Sequence, residues 1–73
     1  MAEVRIIHVY KNPPVEQRLI VRDGIKLSEL LYRLKIRYDT AIVAINGTVV
    51  ENAEKTRIYG KSEVAILDVL DGG

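Results

Sequence analysis

The chain contains no cysteine. Disulfide bridges and thiolate zinc sites are thereby excluded as ways of stapling a small fold. Tryptophan and phenylalanine are missing too, so the 5% aromatic content is all tyrosine. An aliphatic core of Ile, Leu and Val must then supply the packing. No apolar run approaches the roughly 18 residues that a bilayer-spanning helix needs, and no cleavable signal is visible at the N-terminus. Expectation is of a soluble, cytoplasmic protein without a membrane partner. Nor is there an excess of one charge: 11 basic residues face 10 acidic ones, for a formal charge of +1. A dedicated nucleic-acid binder usually shows a strong basic excess, so that class is disfavoured. One histidine, no thiol and no phosphate-cradling glycine loop leave no nucleophile–base pair, metal cluster or nucleotide site of the chain's own.

What is present is a compact alternation of short elements. With 73 residues, the chain is one small domain that buries a low fraction of its surface and depends on an efficient core. Glu3 to Tyr10 is rich in β-branched residues and reads as a strand. Asn12-Pro13-Pro14 interrupts it, because proline lacks an amide donor and restricts the residue before it. Val15 to Arg22 is a second strand, with Val15, Leu19 and Val21 on one face and Glu16, Arg18 and Arg22 on the other; a hairpin is the simplest pairing. After the Asp23-Gly24 turn the apolar spacing changes. Leu27, Leu30, Leu31 and Leu34 recur at i, i+3, i+4 and i+7, the stripe of a helix of about three turns. Glu29 early and Arg33 and Lys35 late suit the helix dipole, whereas Lys26 is a poor N-cap.

Ala41 to Ile45 is a nearly all-apolar strand. Asn46-Gly47 follows as a tight-turn signal, since both residues tolerate positive φ, and Thr48 to Val50 returns briefly. Glu51 to Gly60 reads as a loop. Ser62 to Val69 is the final strand, running into Leu70, Asp71, Gly72 and Gly73. A helix packed across one face of a mixed sheet is the α+β layer solution. The first and last strands are placed side by side at its centre, parallel, one face covered by the helix.

The diglycine is the most informative feature. Two residues without side chains make a thin thread, able to enter a narrow active site and present a terminal carboxylate there. The competing reading is a frayed terminus. Together, the strand pair, the Leu27/Leu30/Leu31 helix, the VAINGTVV segment at Val43 to Val50 and the final Gly-Gly resemble the β-grasp sulfur carriers. The chain is most similar to the ThiS family of thiamin sulfur carriers, with MoaD, the molybdopterin-synthase small subunit, and the archaeal ubiquitin-like modifiers behind it. The resemblance covers essentially the whole chain. It departs in the longer, proline-paired link between the first strands, in the missing glycine after Leu34, and in the featureless Glu51 to Tyr59 loop.

The resemblance implies a ubiquitin-like β-grasp of four to five strands over residues 1–70, with 71–73 as a flexible tail. It implies a carrier rather than an enzyme. In that family the terminal glycine is adenylated by a ubiquitin-activating-type enzyme using ATP and magnesium, receives sulfur from a donor as a thiocarboxylate, and passes it to an acceptor such as thiazole synthase. Carried over, Gly73 is the point of adenylation and sulfur attachment, and Gly72 the neighbour that must stay slim. Val69, Leu70 and Asp71 are candidate partner contacts, with Ile45 and Val64 further candidates whose facing stays open. No catalytic residue, metal ligand or bound cofactor is expected on the chain itself. Without cysteine, sulfur cannot be carried as the protein's own persulfide. Val69 to Gly73 extend at most about 17 Å, enough to cross a partner's surface.

Alternatives that use the same tail are a molybdopterin-synthase subunit, a tRNA-thiolation carrier and a ubiquitin-like protein modifier; a β-grasp binding module would not use it. His8, alternating with Ile6 and Tyr10, reads as structural. Arg33, Lys35 and Arg37 read as a solvated face in preference to an acidic-partner or RNA contact. Acidic residues near the tail (Glu63, Asp68, Asp71) suit steering toward a basic groove on an activating enzyme. Nothing in the charge balance asks for more than a monomer.

Overall fold

The structure is a computed structural model that describes residues 1–70. Strand β1 (Ala2–His8) pairs antiparallel with β2 (Val15–Val21), and a short β3 (Ile25–Lys26) leads straight into helix α1 (Leu27–Arg33). Strands β4 (Ala41–Ile45), β5 (Thr48–Val49), β6 (Arg57–Ile58) and β7 (Lys61–Val69) follow. The main sheet has the order β2-β1-β7-β4-β5, with β1 and β7 parallel at its centre and the other pairs antiparallel. This is the ubiquitin-like β-grasp expected: one helix and a five-stranded mixed sheet in an α+β arrangement.

Alternation along β1 shows why the sheet is two-sided. Ala2, Val4, Ile6 and His8 are buried, whereas Arg5 between them is exposed. Val64 and Ile66 of β7 and Val43 of β4 complete the inner face, and Leu27, Leu30 and Leu31 lie on them from α1, all fully or nearly fully buried. The core is aliphatic, as the composition requires. Among the described residues His8 is the one buried polar side chain, 5% exposed, and its Nε2 lies 2.7 Å from the Gln17 side-chain oxygen on β2. That satisfied contact gives the histidine a structural place.

Two features differ from the expectations. Glu51 to Gly60 is not wholly a loop, for β3 and β6 form a separate two-stranded ribbon through Ile25 and Ile58, both buried in the core. Such two-residue strands carry no periodicity for a sequence to show. The helix has two turns rather than about three. It ends where the Lys35 amide donates to the Tyr32 carbonyl (3.0 Å) and the Ile36 amide to the Leu31 carbonyl (2.9 Å), the paired bonds of a Schellman stop. Lys35, at φ 60°, takes the left-handed position where glycine is usual. Lys26, a poor N-cap from its side chain, makes no side-chain cap, as expected. Instead the amides of Leu27 and Ser28 donate to the carbonyls of Thr56 (2.8 Å) and Ala53 (3.0 Å), so a distant segment satisfies the open helix end. Asn46 and Gly47 turn as expected, with φ of 49° and 86°.

Candidate functional site

The face of the sheet away from α1 divides into two ends. At the end where β7 begins, Arg5 stands opposite Arg18 on β2 and Glu63 on β7. Its guanidinium donates to both oxygens of Glu16 (2.6 and 3.0 Å) and, at 3.4 Å, to Glu63. The hydrogen bond from Arg5 holds the Glu16 carboxyl below the usual carboxylate range, and the same bond raises Arg5. All three side chains are about half exposed, so the network is screened by water and adds little to stability.

Toward the other end the ladder changes character. One cross-strand row runs from Glu16 on the edge strand β2 through Ile7 on β1, Ala65 on β7 and Ala44 on β4 to Val49 on β5, and is apolar on every strand but β2. Beyond it come Ile42 and Leu67, 41% and 38% exposed, and Val49 is 57% exposed. With the half-buried Ile7 and Ala65, and the buried Ala44 as its floor, these residues make a largely apolar patch on the half of the face toward which β7 runs, with the exposed Asp68 opposite Ile42. Exposed apolar clusters of this kind mark interaction surfaces.

The register explains how β7 leaves the sheet. Val43 pairs with Ile66 but Ile42 pairs with Asp68, so Leu67 is an extra residue, a β-bulge. Without it Asp68 would follow Val64 and Ile66 onto the core face. With it Asp68 is exposed, and Val69 pairs with Ala41 and packs on the core. Of the contacts expected near the tail, Val69 is therefore half-buried, while Leu70 is 70% exposed, its amide donating to the Thr40 carbonyl at 2.9 Å. Ile45 packs against the core and Val64 is fully buried, which settles the facing of both. The expectations for Asp71, Gly72 and Gly73 lie outside the described residues.

Sequence reasoning did not single out Ile42, Leu67, Val49 or Ile7. Within the AIVAI run every position is apolar, so inside and outside look alike. The Leu67-Asp68 break in alternation was the available signal for the bulge. Elsewhere, the Asp23 carboxylate accepts the Gly60 amide (3.0 Å) and pairs with the N-terminal ammonium (3.1 Å); the amide first, then the ammonium, lower its pKa. Among the described residues no group of three or more His, Cys, Asp and Glu side chains is arranged to hold a metal ion, and no helix is long and apolar enough to cross a membrane.

Comparison with known proteins bears on this arrangement. The model of the ThiS family matches residues 3–73, nearly the full chain and including both glycines. No curated protein matches, and no solved structure does. The chain belongs to the ThiS family, small carrier proteins with a sulfur-carrier role rather than enzymes.

Proposed function

We propose that this protein carries sulfur as a thiocarboxylate on Gly73 and donates it in formation of the thiamin thiazole. The observation that carries the reading is the apolar patch of Ile7, Ile42, Ala44, Val49, Ala65 and Leu67 on the half of the sheet toward which β7 runs, in a chain whose family match continues through Gly73. A carrier has to bring a whole partner surface to the place where its last residues are handled, and this face supports that use.

Chemically, the reading requires Gly73 to bear a free α-carboxylate. A carboxylate is a poor electrophile, because its charge repels nucleophiles and its oxygen leaves badly. A ubiquitin-activating-type partner using ATP and magnesium converts it to an acyl-adenylate, releasing pyrophosphate. Attack by hydrosulfide-level sulfur then releases AMP and leaves the thiocarboxylate, whose sulfur passes to an acceptor such as thiazole synthase. Gly72 keeps the approach narrow, Leu70 and Asp71 contact the partner near its active site, and the chain itself supplies no catalytic group. The setting for this chemistry is the cytoplasm.

Intact-mass spectrometry after incubation with such an enzyme, ATP and a sulfur donor tests the reading. The expected product has one oxygen replaced by sulfur at Gly73, and deletion of Gly73 abolishes it while the far-UV circular dichroism stays unchanged. Adenylation retained after the deletion would refute the proposal. Adducts on lysines would mark a protein modifier instead, and thiolation with transfer only to a molybdopterin or tRNA acceptor would redirect the pathway.

A further inference from the structure

The main sheet ends differently on its two sides. At one edge β5 is only two residues long, a common way to keep an edge from pairing further. At the other, β2 runs for seven residues, matched to β1 along its length without a bulge, and contains neither proline nor lysine. Parity tells which of its backbone groups are spare. The amides of Glu3 and Val9 donate to the Gly60 and Ile66 carbonyls. Odd-numbered residues of β1 therefore turn their backbone toward β7, and even-numbered ones toward β2. Opposite the latter stand Val15, Gln17, Leu19 and Val21. Glu16, Arg18 and Ile20 are left directing their N–H and C=O groups away from the sheet, and no other described strand pairs with them.

The side chains decide what fits this edge. Charged side chains on an edge usually keep a second strand away. Those of β2 are of opposite sign and alternate positions on the outer face, Glu16 and then Arg18. A second β2 laid antiparallel about a two-fold axis must match outward residues with outward ones, so the axis passes through a residue. Centring on Glu16, Arg18 or Ile20 sets like charges face to face, which is destabilising. Centring on Leu19 puts Arg18 against Ile20 and Glu16 against Arg22, whose guanidinium already binds both Glu29 oxygens. Registers centred nearer either end lose most of the overlap. Centring on Gln17 sets Glu16 against Arg18 on both sides of the axis, and Val15 against Leu19 on the inner face. Arg18, which makes no side-chain hydrogen bond or ion pair among the described residues, gains a carboxylate there. Ile20, 60% exposed, meets Pro14, which has no amide to offer and so ends the pairing.

We propose that two copies of this chain pair edge to edge through antiparallel β2 strands, about a two-fold axis at Gln17, so that one sheet continues across both. In each Glu16–Arg18 pair the backbones exchange both N–H···O bonds, and the carboxylate of one copy lies beside the guanidinium of the other. The outer face keeps its water, because the second copy joins in the plane of the sheet and covers neither face. The apolar patch on β7, β4 and β5 stays open. Net charge gives no sign of this pairing, since the order of charges along the strand, and not their sum, is what matches. A single strand pair buries less than a stable dimer interface usually does, so the dissociation constant is expected on the order of 0.1 mM.

The test is sedimentation velocity of the full chain at concentrations on either side of that value, with amide hydrogen exchange read by NMR on the same samples. A dimer should grow in with concentration. Glu16, Arg18 and Ile20 should gain protection with it, whereas Gln17 and Leu19, already bonded to β1, should not change. Arg18→Glu and Glu16→Arg are each expected to weaken the dimer about tenfold. An equimolar mixture of the two should recover it, because each variant then meets the opposite charge. Far-UV circular dichroism checks that both variants are folded. A chain that stays monomeric throughout would overturn the proposal and leave the edge to a strand from another protein. A dimer indifferent to both charge reversals, a mixture that recovers nothing, or protection gained at Ile42 and Leu67 instead would overturn it equally.

Discussion

The two ends of the outer sheet face are built on the same strands, yet they solve different problems. At one end Arg5, Glu16, Arg18 and Glu63 face water around one shared guanidinium. At the other, Ile7, Ala65, Ala44 and Val49 are apolar across four strands, with Glu16 of the edge strand opposite Ile7, and Ile42, Leu67 and the exposed Asp68 lie beyond. Exposure does not separate them, since Arg5 and Ile42 are comparably accessible. Side-chain chemistry does. A charged surface resists burial, because taking ions out of water is costly, while an apolar one gains from it. The difference teaches that the two halves of the face respond oppositely to burial, and that the half toward which β7 runs is the one that gains from it.

Placing a cation at each end tests that division. Leu67→Lys puts a charge into the apolar half, and kcat/KM for activation of the tail by the partner enzyme is expected to fall about thirtyfold, as for an interface anchor. Ile20→Lys makes the same kind of change at the other half, where Ile20 is 60% exposed opposite Glu3. There kcat/KM should stay within about twofold, the value of a near-neutral rim contact. Equal losses from the two variants would erase the distinction.

A smaller effect sharpens it in acid. Arg5 holds Glu16 below its ordinary range, and Arg22, with smaller help from Arg33, holds Glu29 down from 4.5 to about 2. A carboxyl with a depressed folded-state pKa contributes stability that is fully present above its unfolded value and is lost as pH falls through the folded one. Tm should therefore decline between about pH 4.5 and pH 2. Glu29→Gln flattens that decline most and Glu16→Gln less, whereas Leu67→Lys leaves its shape intact. Thermal melts across this range check all three.

How much of this was legible in the sequence follows from how far each signal reaches. The β1–β2 hairpin, the leucine stripe of α1 and the Asn46-Gly47 turn are local, and periodicity or positive-φ chemistry reveals them within a few residues. The β3–β6 ribbon is not local. Ile25 and Ile58 are buried together by a pairing across more than thirty residues, and the Thr56 and Ala53 carbonyls satisfy the helix start from segments well beyond any local window. The expectations for Asp71, Gly72 and Gly73 came from the residues and lie outside the described ones, whereas the apolar patch on the sheet was hidden because AIVAI presents no alternation to follow. Lys35 was legible only as an exception, a lysine where the helix stop wanted glycine.

The bulge at Leu67 has a consequence for the engineering of this carrier. Beyond Ile66 the strand is a counter with two states, and the one extra residue sets which of them Val69 and Leu70 occupy. Lengthening the strand there by a single amino acid would not simply extend reach; it would exchange the inward Val69 for its neighbour and turn a half-buried valine to the outer face. Adding two would keep the phase and change only the distance. Which side chain the last turn of the strand presents is set by parity first and by length second.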